Sequence, residues 1–214
     1  MANYEHMPAA SQLAVLPFLA AVEGYLSEDG TVEGLEVTIH RAMNREGSQY
    51  LQQLTEYFPP SPNAKNSGRV FQVDHGIIGA AYRSKRIYKT RQFATEEQLL
   101  AEIDPNREPG KRAWCAVPFL GPNESVVLVL YARCNLLNFF SDERVTRVVS
   151  MAKGFCRLHD YLHDKPFRNL QNFPLDEGEP SIGGGEAYEV QDVYDIAPPR
   201  FEKLSSFNYE ASAA

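Results

Sequence analysis

The sequence has few cysteines, no excess of positive charge and no long hydrophobic run, and each absence narrows the class of protein. Three cysteines, Cys115, Cys134 and Cys156, stand far apart in 214 residues, too few for the disulfide framework of a small secreted protein. The longest apolar run, residues 13–22, is about half of a membrane span. No basic region precedes it, as one would in a signal peptide. We therefore expect free thiols and a soluble, cytoplasmic protein.

The charge is distributed unevenly along the chain. The net charge is -7, and residues 166–214 hold nine acidic and three basic residues, whereas residues 1–165 are nearly neutral. Neither part has the basic patch that binds nucleic acid or anionic lipid. No nucleic acid and no membrane is therefore expected as a partner.

The familiar catalytic motifs are missing as well. The sequence has no phosphate-binding loop, and the glycine run at residues 183–185 is not spaced as a dinucleotide fingerprint. It has neither a nucleophile elbow nor a metalloprotease helix. The sequence therefore indicates a protein that is not an enzyme, and it identifies no cofactor.

The most informative stretch is residues 69–91, RVFQVDHGIIGAAYRSKRIYKTR. An alternating run breaks at His75 and Gly76, continues as a short apolar helix that contains Gly79, and ends in a basic turn before a short strand. A glycine ahead of an apolar helix lets the backbone approach another group closely. The pattern is typical of the wall of a small-molecule pocket.

Hydrophobic periodicity predicts an alternation of helices and strands in the rest of the chain. Helices are expected at residues 11–26, 94–103 and 142–163, the last two with Thr95 and Ser141 as N-caps. This order predicts an α+β fold, an antiparallel sheet of five or six strands flanked by helices, with the N- and C-terminal helices packed together. Strands are expected at residues 32–41, 50–58, 70–73, 87–90, 113–120 and 125–133.

The chain is expected to have three regions. Residues 1–10 are predicted to be flexible, residues 11–165 to form one domain, and residues 166–214 to form an acidic tail. The tail contains a glycine-rich linker at residues 178–185, followed by isolated hydrophobic residues among charges. Such a composition cannot form a core of its own. The tail is therefore predicted to be disordered or to dock on a protein partner.

Four motifs in the domain resemble those of GAF domains, the small-molecule sensor modules related to PAS domains. They are the lead-in at residues 68–71, the two-glycine helix at 76–81, the valine–proline strand at 116–119 and the aromatic, hydroxyl and acidic run at 138–143. Their order and spacing carry the resemblance, which covers roughly residues 11–163. It implies a sensory or regulatory protein that signals through its terminal helices and tail. No output domain has room beside it, so a stand-alone member is expected.

Family members bind cyclic nucleotides, bilins, haem, amino acids or other metabolites, and many only dimerise. The resemblance thus implies a small ligand, a protein partner or a homodimer formed through the terminal helices. The glycines would admit a ligand, the arginines with one tyrosine would hold an anion, and the ring side chains would stack. Each of these residue types also has a purely structural interpretation. The glycines can serve a turn, the basic residues can form a solvated turn, and the aromatic residues can belong to the core. The candidate ligand-binding residues are His75, Gly76, Gly79, Tyr82, Arg83, Arg91, Trp114 and Tyr131.

Two other functions stay open. The first is an adaptor with a closed pocket, whose tail docks on a partner. The second comes from the few family members that reduce free methionine sulfoxide with cysteines. That reaction needs a nucleophilic and a resolving thiol, and a hairpin between the strands of Cys115 and Cys134 brings these two residues near each other. The cysteine loop motif of those members is not visible in this sequence.

A metal site is the sharpest local alternative. Cys156, His159 and His163 stand at i, i+3 and i+7 of the last predicted helix, and zinc accepts such a set with a fourth ligand. All three lie on the apolar stripe of that helix, and packing of the stripe explains them. No metal is therefore predicted.

Overall fold

Seven antiparallel strands form one sheet with helices on both faces, in the order β3-β2-β1-β6-β5-β4-β7. The computed structural model describes residues 10–28, 30–45, 47–60, 68–74, 76–103, 110–163 and 189–200. The predicted α+β class is confirmed. The strands are β1 (Glu36–Arg45), β2 (Ser48–Gln53), β3 (Val70–Gln72), β4 (Tyr88–Thr90), β5 (Ala113–Leu120), β6 (Val126–Cys134) and β7 (Val190–Asp192).

Two long helices cover one face of this sheet. They are α1 (Ala10–Leu26) and α4 (Asp142–His163), and their contact includes the stacked rings of Phe18 and Phe155, with centroids 4.7 Å apart. The packing of the N-terminal against the C-terminal helix is thus as predicted. The other face lies under two shorter helices, α2 (Gly76–Ser84) and α3 (Glu96–Leu100).

The caps expected for the later helices are in place. The Thr95 hydroxyl accepts a hydrogen bond from the Gln98 N–H at the start of α3, and the Ser141 hydroxyl accepts one from the Arg144 N–H at the start of α4. Each cap satisfies a backbone donor that the first helical turn leaves without a partner.

The first two strands differ from their predicted bounds. β1 begins at Glu36 instead of residue 32, because Gly34 adopts a positive φ of 63° in a turn just before it. β2 ends at Gln53 instead of residue 58. The chain then leaves the ladder, and Phe58 returns to make a single bridge with Val37.

Both faces of the sheet centre are buried. Every residue of β5 is buried, and so are eight of the nine positions of β6. Two hydrophobic clusters, one per face, result from this double cover. The strand predicted at residues 125–133 is thus found as β6, and it is covered on both faces.

The edge strand β4 is anchored to the helix pair by a buried charge. Lys89 of β4 is only 2% exposed, and its Nζ lies 2.6 Å from Oδ1 of Asp142, in the first turn of α4. An ammonium that leaves water requires a partner of this kind. The ion pair ties the edge of the sheet to the start of the last helix.

Strand β7 is the element that sequence analysis did not predict. It pairs with β4, and Val193 and Ile196, just beyond it, pack against the cluster on the α1 and α4 face. The segment has no alternation of its own and gains its structure from the edge of β4. The predictions for residues 1–9, 164–188 and 201–214 lie outside the described residues.

Within the described residues, no helix is long and apolar enough to cross a membrane. This holds for α1 and α4, the two longest helices, both of which pack on the sheet.

Two helical glycines, one tightly packed and one with free space beside it, allow a matched test of helix packing. A Cβ on Gly79 would lie 2.8 Å from the Val73 carbonyl oxygen, whereas a Cβ on Gly154 of α4 would meet nothing within 4 Å. We expect Gly79→Ala to lower the free energy of unfolding by about 1–3 kcal/mol. Gly154→Ala should raise it by about 0.5–1 kcal/mol, because alanine favours the helix. Urea denaturation measures both, and equal effects would contradict the close contact at Gly79.

Candidate functional site

The sheet face beneath α2 and α3, here called the α2 face, differs in chemistry from the opposite face. Its buried cluster combines aliphatic residues with four aromatic rings contributed by Tyr57, Phe93, Trp114 and Tyr131. The cluster on the opposite face consists of aliphatic side chains, cysteines and phenylalanines. Rings with a polar tip on one face only make that face the candidate for recognition.

His40 and Gln53 form a buried polar pair on this face. They are direct neighbours across β1 and β2 and are 1% and 0% exposed. Residues opposite each other in an antiparallel pair have Cβ atoms about 5 Å apart. The two side chains therefore share one small region of the sheet.

Each member of this pair has a buried polar atom without a hydrogen-bond partner. These atoms are Nδ1 of His40 and Oε1 of Gln53. The Gln53 amide nitrogen is already used, because it donates to the Thr55 carbonyl oxygen at 2.9 Å. A buried polar atom left unpaired costs about 1–3 kcal/mol. Two such atoms on neighbouring residues require an explanation, such as a bound water, ion or ligand.

Aromatic rings flank the imidazole of His40. The rings of Phe71 and Tyr131 meet it edge-on, with centroids at 5.4 and 6.2 Å. Burial lowers the pKa of His40 to about 3, against the effect of a hydrogen bond to the Val129 backbone and with a smaller contribution from the charge of Arg69. The imidazole is thus neutral at physiological pH.

The neutral pair offers a defined hydrogen-bonding pattern. Oε1 of Gln53 is an acceptor, and Nδ1 of the neutral imidazole is an acceptor as well, because the other ring nitrogen carries the proton and donates it to the Val129 backbone. An uncharged group with a hydrogen-bond donor suits this pair, because it satisfies the amide oxygen without bringing a charge into the core.

The opposite end of the α2 face is closed by charges. Arg133 donates from Nε to Oε2 of Glu36 at 2.6 Å and lies over the Tyr57 ring at 4.4 Å, and Nζ of Lys111 lies 3.0 Å from the same carboxylate oxygen. Burial acts to raise the pKa of Glu36, but Arg133 and Lys111 outweigh it and the pKa is lowered. These charges satisfy one another, whereas Nδ1 of His40 and Oε1 of Gln53 have no hydrogen-bond partner, and neither has Nε of Arg91, which lies over the Phe93 ring of the same face.

The two glycines of the predicted site are required by the backbone conformation and packing of α2. Gly76 has a φ of 67° at the start of α2, a conformation that residues with a Cβ rarely adopt. Gly79 lets α2 approach the backbone of Val73. His75, between β3 and α2 in the sequence, lies outside the described residues.

The predicted basic side chains have partners within the protein. Arg83 donates from Nη1 to the Val73 carbonyl oxygen at 3.0 Å. Arg91 forms an ion pair with Glu102 and lies over the ring of Phe93. The structure therefore accounts for these arginines without an anionic ligand, in line with the structural role left open for them.

The predicted aromatic residues do come together on the α2 face. Trp114 and Tyr131 lie in one buried cluster with Ile77 of α2, and Tyr82 packs against it. The Tyr82 hydroxyl donates to Oε1 of Gln49 at 2.9 Å, and burial raises its pKa. Of the eight predicted residues, these three share the face with His40 and Gln53.

All three thiols are buried, and none lies on the α2 face. Burial raises the pKa of Cys115 to about 12 and that of Cys134 to about 11, and it also raises the pKa of Cys156. Cys115 pairs with Ala132, two residues from Cys134 in β6, so the two cysteines are diagonal neighbours at about 7–8 Å. A disulfide requires a shorter separation.

The metal alternative gains no support from the described residues. Among them no three His, Cys, Asp or Glu side chains are grouped to hold a metal ion. His159 is buried beside the ring of Phe155, which agrees with packing of the apolar stripe. The side chain of His163 lies outside the described part.

Sequence analysis missed His40 and Gln53 because the alternation in β1 suggested a solvent-facing polar side. A signal was present, since the neighbouring β6 is apolar at nearly every position and so must be covered on both faces. The polar side of β1, next to it in the sheet, is then buried as well.

The chain matches no protein-family model and no curated protein. It is similar to solved structures, among them a type II free methionine-R-sulfoxide reductase from Thermoplasma acidophilum. That pair is 16% identical over 72% of this chain and 95% of the other, with a TM-score of 0.48. The GAF domain of an Acinetobacter phosphoenolpyruvate-protein phosphotransferase is 13% identical over 80% and 100% of the two chains, with a TM-score of 0.47.

The fRMsr of Staphylococcus aureus is also similar, at 13% identity over 70% of this chain and 97% of that one, with a TM-score of 0.43. Identity and TM-score are both low, so these similarities carry no conclusion about this chain. The antiparallel sheet between two layers of helices agrees with the fold class that the sequence predicts.

The buried His40 makes stability depend on pH. Its pKa is about 3 in the folded protein, against an ordinary 6.5, so the unfolded chain binds the proton more readily. The contribution of the neutral imidazole to the free energy of unfolding is then fully present above pH 6.5 and is lost as the pH drops towards 3. Between pH 6.5 and 5 the wild type should lose about 1.5 kcal/mol more than His40→Leu, as measured by urea denaturation. Parallel pH profiles would show that His40 is not buried in its neutral form.

Proposed function

We propose that this protein is a GAF-like sensor, not an enzyme, that binds a small uncharged ligand on the α2 face, against His40 and Gln53. The observation that carries the proposal is the pair of unpartnered buried atoms, Nδ1 and Oε1. A core that served stability alone would gain from apolar side chains at these two positions. A ligand that hydrogen-bonds to both atoms removes the free-energy cost of leaving them unpaired, which explains why polar side chains occupy these positions.

The surroundings of the pair define the ligand class. The imidazole is neutral, and Arg83 and Arg91 are engaged elsewhere, so these groups offer no charge to an anion at this point. The rings of Phe71 and Tyr131 on either side of His40 favour a flat ligand. An uncharged heterocycle with a ring N–H or an amide group fits these features.

A route for the signal follows from the pleat of β1. His40 faces the α2 side, whereas its neighbour Ile39 belongs to the cluster beneath α1 and α4. A ligand that moves His40 therefore moves a side chain in contact with the helix pair. We propose that the helices pass this change to a partner, either a second copy of the chain or another protein of the cytoplasm.

The cysteines favour this binding role over thiol chemistry. A nucleophilic cysteine acts as the thiolate, and burial raises the pKa of Cys115 and Cys134 far above neutral. The adaptor with a closed pocket is the remaining alternative. It differs from the sensor in one respect, since it leaves the atoms of His40 and Gln53 without a ligand.

The test compares ligand binding and stability in three variants. Native mass spectrometry of the freshly purified protein looks for a bound compound, and thermal shifts are measured with neutral heterocycles such as nucleobases, nucleosides and nicotinamide. We expect His40→Leu and Gln53→Leu to weaken binding at least tenfold, and His40→Leu to leave the melting temperature equal or higher. Thr38→Val is the matched control, because its hydroxyl donates to the Thr55 carbonyl oxygen at 3.0 Å.

The control should lose about 1 kcal/mol of stability and keep the ligand. The outcome against the sensor is a protein that carries no compound, shows no thermal shift with any of these heterocycles and has variants that differ from the wild type in stability only. That result would favour the closed-pocket adaptor.

A further inference from the structure

The outer edge of β4 is covered by residues 189–200, here called the strap. Three residue pairs join β4 to β7 in antiparallel register, from Tyr88 with Asp192 to Thr90 with Val190. Beyond them the Arg91 N–H donates to the Glu189 carbonyl oxygen at 2.9 Å. The strap thus completes the ladder of an edge that would otherwise be open.

The strap continues to the far end of β5. The Leu120 N–H donates to the Pro199 carbonyl oxygen at 2.9 Å, and the guanidinium of Arg200 binds both carboxylate oxygens of Glu124, with Nη2 to Oε2 at 2.9 Å. Its two anchored ends lie on different strands. The strap therefore spans the whole rim of the sheet on this side.

Charge complementarity distinguishes this edge from an ordinary one. Residues 85–91 (KRIYKTR) carry four basic residues and no acid, whereas residues 189–195 (EVQDVYD) carry three acids and no base. Because Lys89 and Arg91 are paired with Asp142 and Glu102, the charges left to complement the strap are those of Lys85 and Arg86. One direct contact is the ion pair of Arg86 with Asp192 at 2.8 Å. The basic turn noted in the sequence is thus matched to an acidic extended strand.

The strap is held mainly by main-chain hydrogen bonds and buries few of its side chains. β7 has three residues, none of them fully buried, and Tyr194 is 77% exposed. The arginines at both ends are largely exposed, and ion pairs of exposed residues contribute little. The strap belongs to the same chain as β4, so its binding is intramolecular and has a high effective concentration. A weak intrinsic affinity is enough to keep such a strap in place.

We propose that the basic edge of β4 is a binding site for an acidic, extended segment of a partner protein, and that the strap occupies this site in the free protein. The partner segment adds to the sheet as a strand. It presents a carboxylate to Arg86, as Asp192 does, and an aliphatic side chain where Val193 packs. The proposal is independent of the ligand on the α2 face, because it uses only the sheet edge.

Hydrogen exchange of two backbone amides measures opening of the strap in the full-length chain. The backbone amides of Arg91 and of Leu120, the last residue of β5, donate to strap carbonyl groups, whereas β5 and β6 are otherwise paired with each other. If the strap opens by itself, hydrogen exchange of the Arg91 and Leu120 amides is at least tenfold faster than exchange in the paired centre of β5 and β6. Equal, slow exchange would mean a permanent strand and would overturn the proposal.

Competition by a labelled peptide tests the site directly. A fluorescent peptide of residues 187–200 is titrated into the full-length wild type and into full-length Asp192→Lys, whose strap is weakened while the edge is unchanged. We expect the peptide to bind the variant at least tenfold more tightly than the wild type. Asp195→Lys, with the same charge change at an exposed residue of the strap, is the matched control and should bind the peptide as the wild type does.

Two results would overturn the proposal. One is that the peptide binds neither protein, or binds wild type and Asp192→Lys equally. The other is that Asp192→Lys and the wild type form dimers with rising concentration and that the peptide dissociates them. In that case the second occupant of the edge is the strap of another copy and not a partner segment.

Discussion

The structure depends on one constraint, which is that its central strands are covered on both faces. β5 and β6 lie between the long helices on one side and the shorter helices on the other. A polar side chain in this region has no access to water and must find a partner within the protein. Thr38 does so through the Thr55 carbonyl oxygen. His40 and Gln53 do so only in part, and their position directly opposite each other in β1 and β2 brings the two incompletely satisfied side chains together in the candidate site.

Much of the architecture is visible in the sequence, because periodicity and caps are local properties. The last helix is found at its predicted bounds, and Thr95 and Ser141 cap the helices expected of them. Strand β7 was not visible, since its stability comes from the edge of a strand about a hundred residues away. Local patterns contain no information on such a contact.

The candidate site was predictable only in its aromatic part. Trp114 and Tyr131 are large residues in apolar strands, and their burial together follows from the pattern. The arginines were attractive as anion ligands because a sequence shows charge but not its partner, and the structure gives Arg83 and Arg91 partners within the chain. His40 and Gln53 meet across two strands, and their register becomes known only once the sheet is formed.

The ion pair between the buried Lys89 and the exposed Asp142 also bears on the edge of the sheet. It fixes the edge strand to the beginning of the last helix, while the strap pairs with the same strand. Strand β4 is therefore held to the helix layer by the Lys89 ion pair and to the strap by main-chain pairing. Loss of either contact loosens this side of the sheet.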